Sequence, residues 1–254
     1  MLSVQMTPNL LGFMISGTYD DLDTLYDAIW NLSIADADYP DDSRMRGTFD
    51  ELAMSTRLLA LNYDLRHAYQ GDRDVKLVPN GMDKYLADYH GLPLVECDVV
   101  YSVKVLYPEA MYELLALDYL MRKREGALGK NETAELDTTI NHVRLYRSLV
   151  VAAVRKNASP GRLTRIVQQV TRGCYLVPTL YQQWVDILNN NYVFMSRKQR
   201  YESLSTIVRD LVEFGRNDQY LELVHDIDAF ALQEGIDRTN ARIPGLYDWD
   251  EPEW

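Results

Sequence analysis

The chain has 254 residues, of which 47% are hydrophobic and 25% charged, and its formal net charge is −12. These fractions are those of an ordinary globular protein, so the composition excludes disordered and fibrous classes. No apolar run approaches the roughly 20 residues that a membrane-spanning helix requires, and residues 1–8 lack the basic and apolar segments of a signal peptide. We therefore expect a soluble, cytoplasmic protein that does not enter a membrane.

The acidic charge is distributed unevenly along the chain. Residues 1–100 carry a net charge of −10 and residues 201–254 one of −9, whereas residues 151–200 hold eight basic side chains and one acidic. The acidic balance makes nucleic acid an unfavourable partner for the molecule as a whole. The basic segment is the clearest asymmetry of charge in the sequence.

The chain begins with the pattern of a β-hairpin. Leu2, Val4 and Met6 alternate with polar residues, Pro8 marks a turn, and an apolar run follows over residues 11–16. Carboxylates at residues 20–23 then predict the first turn of a helix, because they complement the positive end of its dipole.

A second helix is predicted from the capping box formed by Thr48 and Glu51 to about Gly71. Its expected inward stripe is Leu52, Thr56, Leu59 and Tyr63. Two further strands are predicted at residues 75–78 and 99–105. Pro108 then suits the first position of another helix. The expected buried stripe of that helix is Tyr112, Leu115, Ala116 and Tyr119.

Strand patterns end after a connection at residues 126–134. The helices predicted beyond it cover residues 135–157, 161–172, 179–190, 197–215 and 218–234. Ser196 with Gln199 forms a capping box, and Gly215 and Gly235 are expected to end helices.

These patterns predict an α+β, mainly helical fold, in which a small antiparallel sheet with helices is followed by an all-helical bundle. We divide the chain into an α+β portion at residues 1–125, a helical portion at residues 131–239 and an acidic aromatic tail at residues 240–254. The sequence leaves open whether the first two portions share one core or form two domains.

The densest polar cluster lies at the predicted end of the second helix. Asp64 and His67 are three residues apart, so the carboxylate can orient the imidazole for acid–base catalysis. The binding candidates around this pair are Arg66, Gln70, Arg73 and Asn80. The structural alternative is an ordinary helix end, where a histidine meets the negative end of the dipole. We favour this alternative because no nucleophile lies nearby.

The sequence contains no common metal or cofactor motif. Its four histidines are scattered, and Cys97 and Cys174 lie far apart, so the paired ligands of a metal site are absent. A loop at residues 126–131 lacks the glycine and the hydroxyl that a P-loop needs. We expect no metal, no cofactor and two reduced cysteines.

Two segments are candidates for contact with a partner. The basic candidates are Arg155, Arg162, Arg165 and Arg172. They could form a solvated or internally paired face, meet a protein, or meet phosphates of a nucleic acid. The aromatic candidates of the tail are Tyr247, Trp249 and Trp254. The tail could dock into a partner or pack as a strap on its own chain.

Several stretches of the chain resemble one family of proteins. They are Tyr19-Asp20-Asp21-Leu22, Tyr63-Asp64-Leu65-Arg66-His67-Ala68-Tyr69-Gln70-Gly71-Asp72-Arg73, Asn80-Gly81-Met82 and Tyr101-Ser102. In them the chain resembles an uncharacterised bacterial family of unknown function, over roughly the first 120 residues. The resemblance implies a bacterial cytoplasmic origin, and it implies no activity and no catalytic residue.

Three functions follow from the sequence as hypotheses. The leading one is a non-catalytic protein-interaction or regulatory protein, which would bind a protein partner or a second copy of itself. The alternative is an enzyme with a small-molecule site around His67, although the lack of catalytic spacing favours a protein that is not an enzyme. The second alternative is nucleic-acid binding through the basic helices at residues 155–172.

Overall fold

The computed structural model describes residues 1–34, 49–91, 96–129, 133–172, 181–238, 240–242 and 254, with the side chains of 34, 49–52, 84 and 86 left out. Within this part the helices are α1 (Tyr19–Ile34), α2 (Phe49–His67), α3 (Lys84–His90), α4 (Tyr107–Ala127), α5 (Thr138–Asn157), α6 (Pro160–Thr171), α7 (Tyr181–Val193), α8 (Arg197–Val212) and α9 (Asp218–Glu234). The strands are β1 (Ser3–Met6), β2 (Gly12–Gly17), β3 (Asp74–Pro79) and β4 (Cys97–Leu106). The predicted α+β, mainly helical fold is therefore confirmed.

The four strands form one antiparallel sheet in the order β1-β2-β4-β3. The predicted N-terminal hairpin is confirmed, and the hydroxyl of Thr7 accepts a bond from the N–H of Gly12 across its turn. Gly12 allows β2 and β4 to approach closely, because a Cβ atom there would lie 1.9 Å from the carbonyl oxygen of Val105. The sheet therefore depends on this glycine.

Helix α4 runs through the centre of the molecule. Every residue from Tyr107 to Asp118 except Glu109 is buried, so the helix has no exposed face over three turns. The predicted stripe captured only part of this burial, because helices and strands surround α4 on all sides. The burial includes two acidic residues, Glu113 and Asp118, which must find partners inside the fold.

The predicted stripe of α2 is wrong in phase. Thr56 and Tyr63 are exposed, and Tyr63 exposes 52% of its surface. The side chains that α2 buries are Met54, Leu58, Leu61 and Leu65. The helix is rotated because this leucine-containing face meets α1 and α4, while the proposed face carries threonine and tyrosine. Thr48, the proposed cap, and the side chain of Leu52 lie outside the described part.

The capping predictions in the helical portion have mixed outcomes. Ser196 and Gln199 form the predicted capping box, and Gly235 ends α9 in a left-handed conformation with φ of 66°. Gly215 does not end a helix, because α8 ends at Val212 and a short 3-10 turn follows. That turn places the Phe214 ring against other rings, with centroids 4.8 Å from Tyr181 and 5.0 Å from Tyr220.

The buried side chains of both portions belong to one continuous core. Helix α5 packs against α1 and β1, and α7 and α8 pack against α4. The helical portion also forms a hydrogen bond with the hairpin turn. The hydroxyl of Tyr192 donates to the carbonyl oxygen of Leu10 at 2.8 Å. The division at about residue 125 stays a prediction. In the described part, no helix is long and apolar enough to cross a membrane.

Candidate functional site

The polar cluster at the end of α2 is built differently from the sequence prediction. After α2 the chain makes a π-helical turn over Ala68–Asp72, and Gly71 within this turn has a positive φ of 92° that kinks the chain. This turn brings Asp72 back toward the helix, where its Oδ2 lies 2.8 Å from Nδ1 of His67. Asp64 instead accepts a bond from Nη2 of Arg73 at 2.9 Å. The candidate Asp64–His67 pair is therefore wrong, because the turn supplies each residue with another partner.

Within the described part, the other binding candidates of this cluster form no hydrogen bond with His67. The Arg66 guanidinium lies 5.6 Å from the ring centroid of Tyr63, and Gln70 is exposed. Asn80 lies at the far end of β3, where its amide donates to Asp98 at 3.3 Å. His67 lines neither of the two cavities beside this cluster.

Asp64 and Arg73 line a groove beside the predicted cluster. An outer cavity of about 450 Å³ is bounded by Asp64, Asp72, Arg73, Asp74, Ser102, Val103, Lys104 and Trp254. An inner cavity of about 370 Å³ shares Asp64, Lys104 and Trp254 with it and extends to α4 and α7. We call these two adjoining cavities the groove. Lys104 bonds to Asp74 at 3.2 Å, and its Nζ lies 5.9 Å from the ring centroid of Trp254.

Arg57 is the central cation of the inner cavity. Its Nε donates to Oε1 of Glu109 at 2.7 Å, its Nη2 pairs with the other oxygen of the same carboxylate, and its Nη1 bonds to Oδ1 of Asp186 at 2.8 Å. The carbonyl oxygen of Gln182 accepts a further bond from Nη1 at 3.0 Å. The forked geometry of the guanidinium thus joins α2, α4 and α7.

Burial disfavours the charged form of Arg57 and so lowers the pKa of its guanidinium. The nearby carboxylates of Glu109 and Asp186 together have the larger effect, so the pKa lies above its ordinary value. The Arg57 side chain therefore remains charged, and the carboxylates of Glu109 and Asp186 form ion pairs with it.

Glu113 lies one turn beyond Glu109 on α4 and also lines the inner cavity. It is 2% exposed, and its Oε2 accepts a bond from the hydroxyl of Tyr146 at 3.1 Å. Burial, and then the neighbouring charge of Glu109, raise the pKa of Glu113 well above its ordinary value. The carboxyl group is therefore protonated over a wider pH range than an exposed glutamate.

Asn189 is a further polar residue that lines the inner cavity. Its Nδ2 donates to Oε2 of Glu109 at 2.7 Å, and it is 5% exposed. Its Oδ1 is buried without a hydrogen-bond partner. Leaving a buried acceptor without a hydrogen-bond partner costs free energy, so this amide oxygen is a candidate binding group for a ligand. Within the described part, no cluster of three or more acidic, histidine or cysteine side chains could hold a metal ion.

The basic candidates lie on α5 and α6. Arg155, Arg165 and Arg172 are exposed, and they form no ion pair with a carboxylate of the described part. Arg162 instead lies over the ring of Tyr201, with its guanidinium carbon 4.2 Å from the centroid. Their role in an interaction stays a prediction.

The three aromatic candidates of the tail have different outcomes. Trp254 is half-buried and packs against the core at the groove. Tyr247 and Trp249 lie outside the described residues, and so does Cys174. Cys97 is a free cysteine in β4.

The outer edge of β3 is the most exposed part of the sheet. All six residues of the strand are exposed, and no described residue pairs with its outer edge. Leu77 exposes 70% of its surface. The opposite edge, β1, is packed against α5. An open edge with apolar side chains is a surface for pairing with another strand.

Comparison with protein-family models gives a match over nearly the whole chain. A family model described as a domain of unknown function, DUF6904, matches residues 2–254. The chain belongs to the DUF6904 family. The match to DUF6904 extends well beyond the first 120 residues, to which the resemblance in the sequence was assigned. A search of curated proteins and a search of solved structures each returned no match. The bacterial origin stays a prediction.

Sequence reasoning missed the residues around the inner cavity. These are Arg57, Glu109, Glu113, Asp186 and Asn189. One signal was present, because Glu109 and Glu113 lie one turn apart in the mainly apolar first half of α4. Their partners come from α2, α5 and α7, and no local pattern in the sequence joins those elements.

Proposed function

We propose that this member of the DUF6904 family is a protein-interaction protein, and that it acts by pairing the outer edge of β3 with β3 of a second copy. The observation that carries the proposal is the exposed edge strand, with its apolar side chains and a backbone edge that no described residue pairs with. Strand addition at such an edge is a common mode of protein recognition.

The backbone of β3 supports this pairing. The N–H of Asn80 donates to the carbonyl oxygen of Glu96 on the β4 side, at 3.1 Å. In an antiparallel pair, the bonding groups of alternate residues point to the same side. The groups of Lys76 and Val78 therefore face β4, and those of Val75 and Leu77 face the open edge. Pro79 also faces outward, where its missing N–H costs no bond to β4.

A register centred on Leu77 suits two copies of this strand. Leu77 of each copy would donate to and accept from Leu77 of the second copy, and the N–H of Val75 would reach the carbonyl of Pro79 across the interface. Lys76 would face Val78, so no like charges would lie directly opposite each other. A register centred on Lys76 would instead oppose two ammonium groups, which disfavours it.

The apolar face of the sheet continues across this interface. Val75 and Leu77 pair with Tyr101 and Val99, which share a face with the buried Val103. Leu77 and Val99 are exposed at the outer end of that face. A second copy would extend the face from both sides and place the Leu77 side chains of the two copies next to each other, which shields part of their surface from water. Tyr85 and Tyr89 of the adjoining α3, each 74% exposed, add the aromatic surface typical of interfaces.

Sedimentation velocity of the full chain over a range of concentrations tests the proposal. We expect a concentration-dependent dimer for the natural protein and a monomer for Leu77→Lys, because a lysine on an edge strand opposes pairing. Leu232→Lys is the matched control: Leu232 is 85% exposed on α9, away from the sheet, and its replacement should leave the dimer intact.

Leu77→Pro tests the contribution of the backbone to pairing, because proline removes the outward N–H of residue 77 and no hydrogen bond to β4. It should also give a folded monomer, with an unchanged circular dichroism spectrum. A natural protein that is monomeric at all concentrations would overturn the proposal, and so would a dimer that survives both substitutions of Leu77.

A further inference from the structure

The inner cavity of the groove is lined by both polar and apolar side chains. Glu113 and Asn189 are among its polar residues, while Leu61, Val105 and Trp254 supply apolar surface. Its volume of about 370 Å³ is that of a site for a small molecule. A ligand that matches this cavity has a polar head and a short apolar body.

The cations around the cavity already have partners. Arg57 is bonded to Glu109 and Asp186, and Lys104 is bonded to Asp74. Among the cavity-lining residues of α4 and α7, two acceptors retain binding capacity. Asn189 Oδ1 has no partner, and among the described residues the Glu113 carboxyl is bonded to Tyr146 alone. These two acceptors match a ligand whose polar head carries several hydrogen-bond donors. An ammonium group is such a head, because it has three N–H donors.

We propose that the inner cavity is a binding site for a primary ammonium group on a small apolar chain, held by Glu113 and Asn189. The ammonium donates to the Glu113 carboxylate and to Oδ1 of Asn189, and its chain packs against Leu61, Val105 and the indole of Trp254. This inference is independent of the pairing of β3, because the groups that hold the ligand belong to α4 and α7.

Ammonium binding is coupled to the loss of one proton. The buried Glu113 carboxyl gives up its proton to solvent, and the resulting carboxylate pairs with the ammonium ion, so charge and protons balance. The charged or titratable groups around Glu113 are Arg57, Asp64, Lys104, Glu109 and Tyr146. The affinity should therefore rise with pH, up to the range near about 10.4 in which the amine itself loses its charge.

Isothermal titration of the full chain with n-pentylamine tests the site, with n-pentanol and pentanoate as the uncharged and anionic comparisons. We expect pentylamine to bind about tenfold or more tightly than either, since a hydrogen bond to a charged group contributes at least that factor. Titrations in two buffers of different ionisation enthalpy should show the release of a proton on binding.

Glu113→Gln keeps the shape of the neutral side chain and removes the ionisable group. It should lower pentylamine affinity about tenfold or more and abolish proton release, whereas Glu125→Gln, on the exposed end of the same helix, should change neither. Equal binding of amine and alcohol, tighter binding of pentanoate, no binding of pentylamine, or full affinity in Glu113→Gln would each overturn the proposal. Each of these results leaves the dimer measurement unaffected.

Discussion

At the scale of single residues, Arg57 is the side chain that ties most elements together. Its guanidinium bonds to α4 through Glu109 and to α7 through Asp186 and the backbone of Gln182. The side chain is 15% exposed, so its bonds are largely shielded from water. Removing one partner of such a buried ion pair is strongly destabilising, because the other partner stays buried as an uncompensated charge.

Replacing Arg57 by methionine should destabilise the fold by about 3–5 kcal/mol, because Glu109 and Asp186 lose their countercharge inside the molecule. Urea unfolding followed by circular dichroism measures this. Arg238→Met is the surface control, since Arg238 and its partner Asp228 are each 50% exposed. It should cost about 0–1 kcal/mol. Equal losses in the two variants would contradict the view that the Arg57 bonds are structural.

Glu113 should make the stability depend on pH in a direction that is unusual for a carboxyl group. Because its pKa is raised in the folded protein, the folded state holds a proton that the unfolded state has already lost. The stability it contributes is complete below the ordinary pKa of a glutamate and is lost as pH rises through the folded value, by at most about 1.4 kcal/mol per pH unit.

Comparison of the natural protein with Glu113→Gln isolates this contribution. Thermal unfolding from pH 5 to pH 9 should show the natural protein losing stability relative to the variant as the pH rises. A constant difference between the two proteins across this range would show that Glu113 titrates normally.

At the scale of elements, two glycines should respond to alanine in opposite directions. In Gly12→Ala the new methyl group would meet the backbone of β4, and we expect a loss of roughly 1–3 kcal/mol in unfolding free energy. Gly126 lies in the last turn of α4 with open space around it, so Gly126→Ala should stabilise the protein by roughly 0.5–1 kcal/mol. An unchanged unfolding free energy in Gly12→Ala would contradict the close approach of β2 and β4, and a loss in Gly126→Ala would contradict the open space around that residue.

Local patterns were sufficient to predict most elements and insufficient to orient them. The β-hairpin, both later strands and the helices of the second portion follow from alternation, helical periodicity and caps such as Ser196. The face of α2 was misjudged because Thr56 and Tyr63 follow the helical period as well as the leucines do. Only contacts with α1 and α4 decide between the two faces, and the chain brings these elements together over long separations.

The end of α2 illustrates the same limit at shorter range. A carboxylate three residues before His67 was a reasonable partner on a regular helix. The π-helical turn and Gly71 change the path of the chain, and Asp72 reaches the imidazole instead. A site that depends on such a turn cannot be derived from helical spacing alone.

At the scale of the whole molecule, one continuous core supports two separate surfaces. The Arg57 bonds join the α+β portion to the helical portion and frame the inner cavity. The edge of β3 lies on the far side of β4 from β2, where the sheet extends beyond its packed centre. The basic segment and the aromatic tail indicated protein contacts in the sequence, but the edge itself emerges only from the order of the strands.

Amide hydrogen exchange of β3 tests the central claim most directly, because it reads each N–H of the strand separately. The amides of Lys76 and Val78 bond to β4 within one chain, so their protection should not depend on protein concentration. If two copies pair at this edge, the amides of Val75 and Leu77 should be protected at high concentration and should exchange rapidly on dilution. Rapid exchange of Val75 and Leu77 at every concentration, with Lys76 and Val78 protected, would contradict the account.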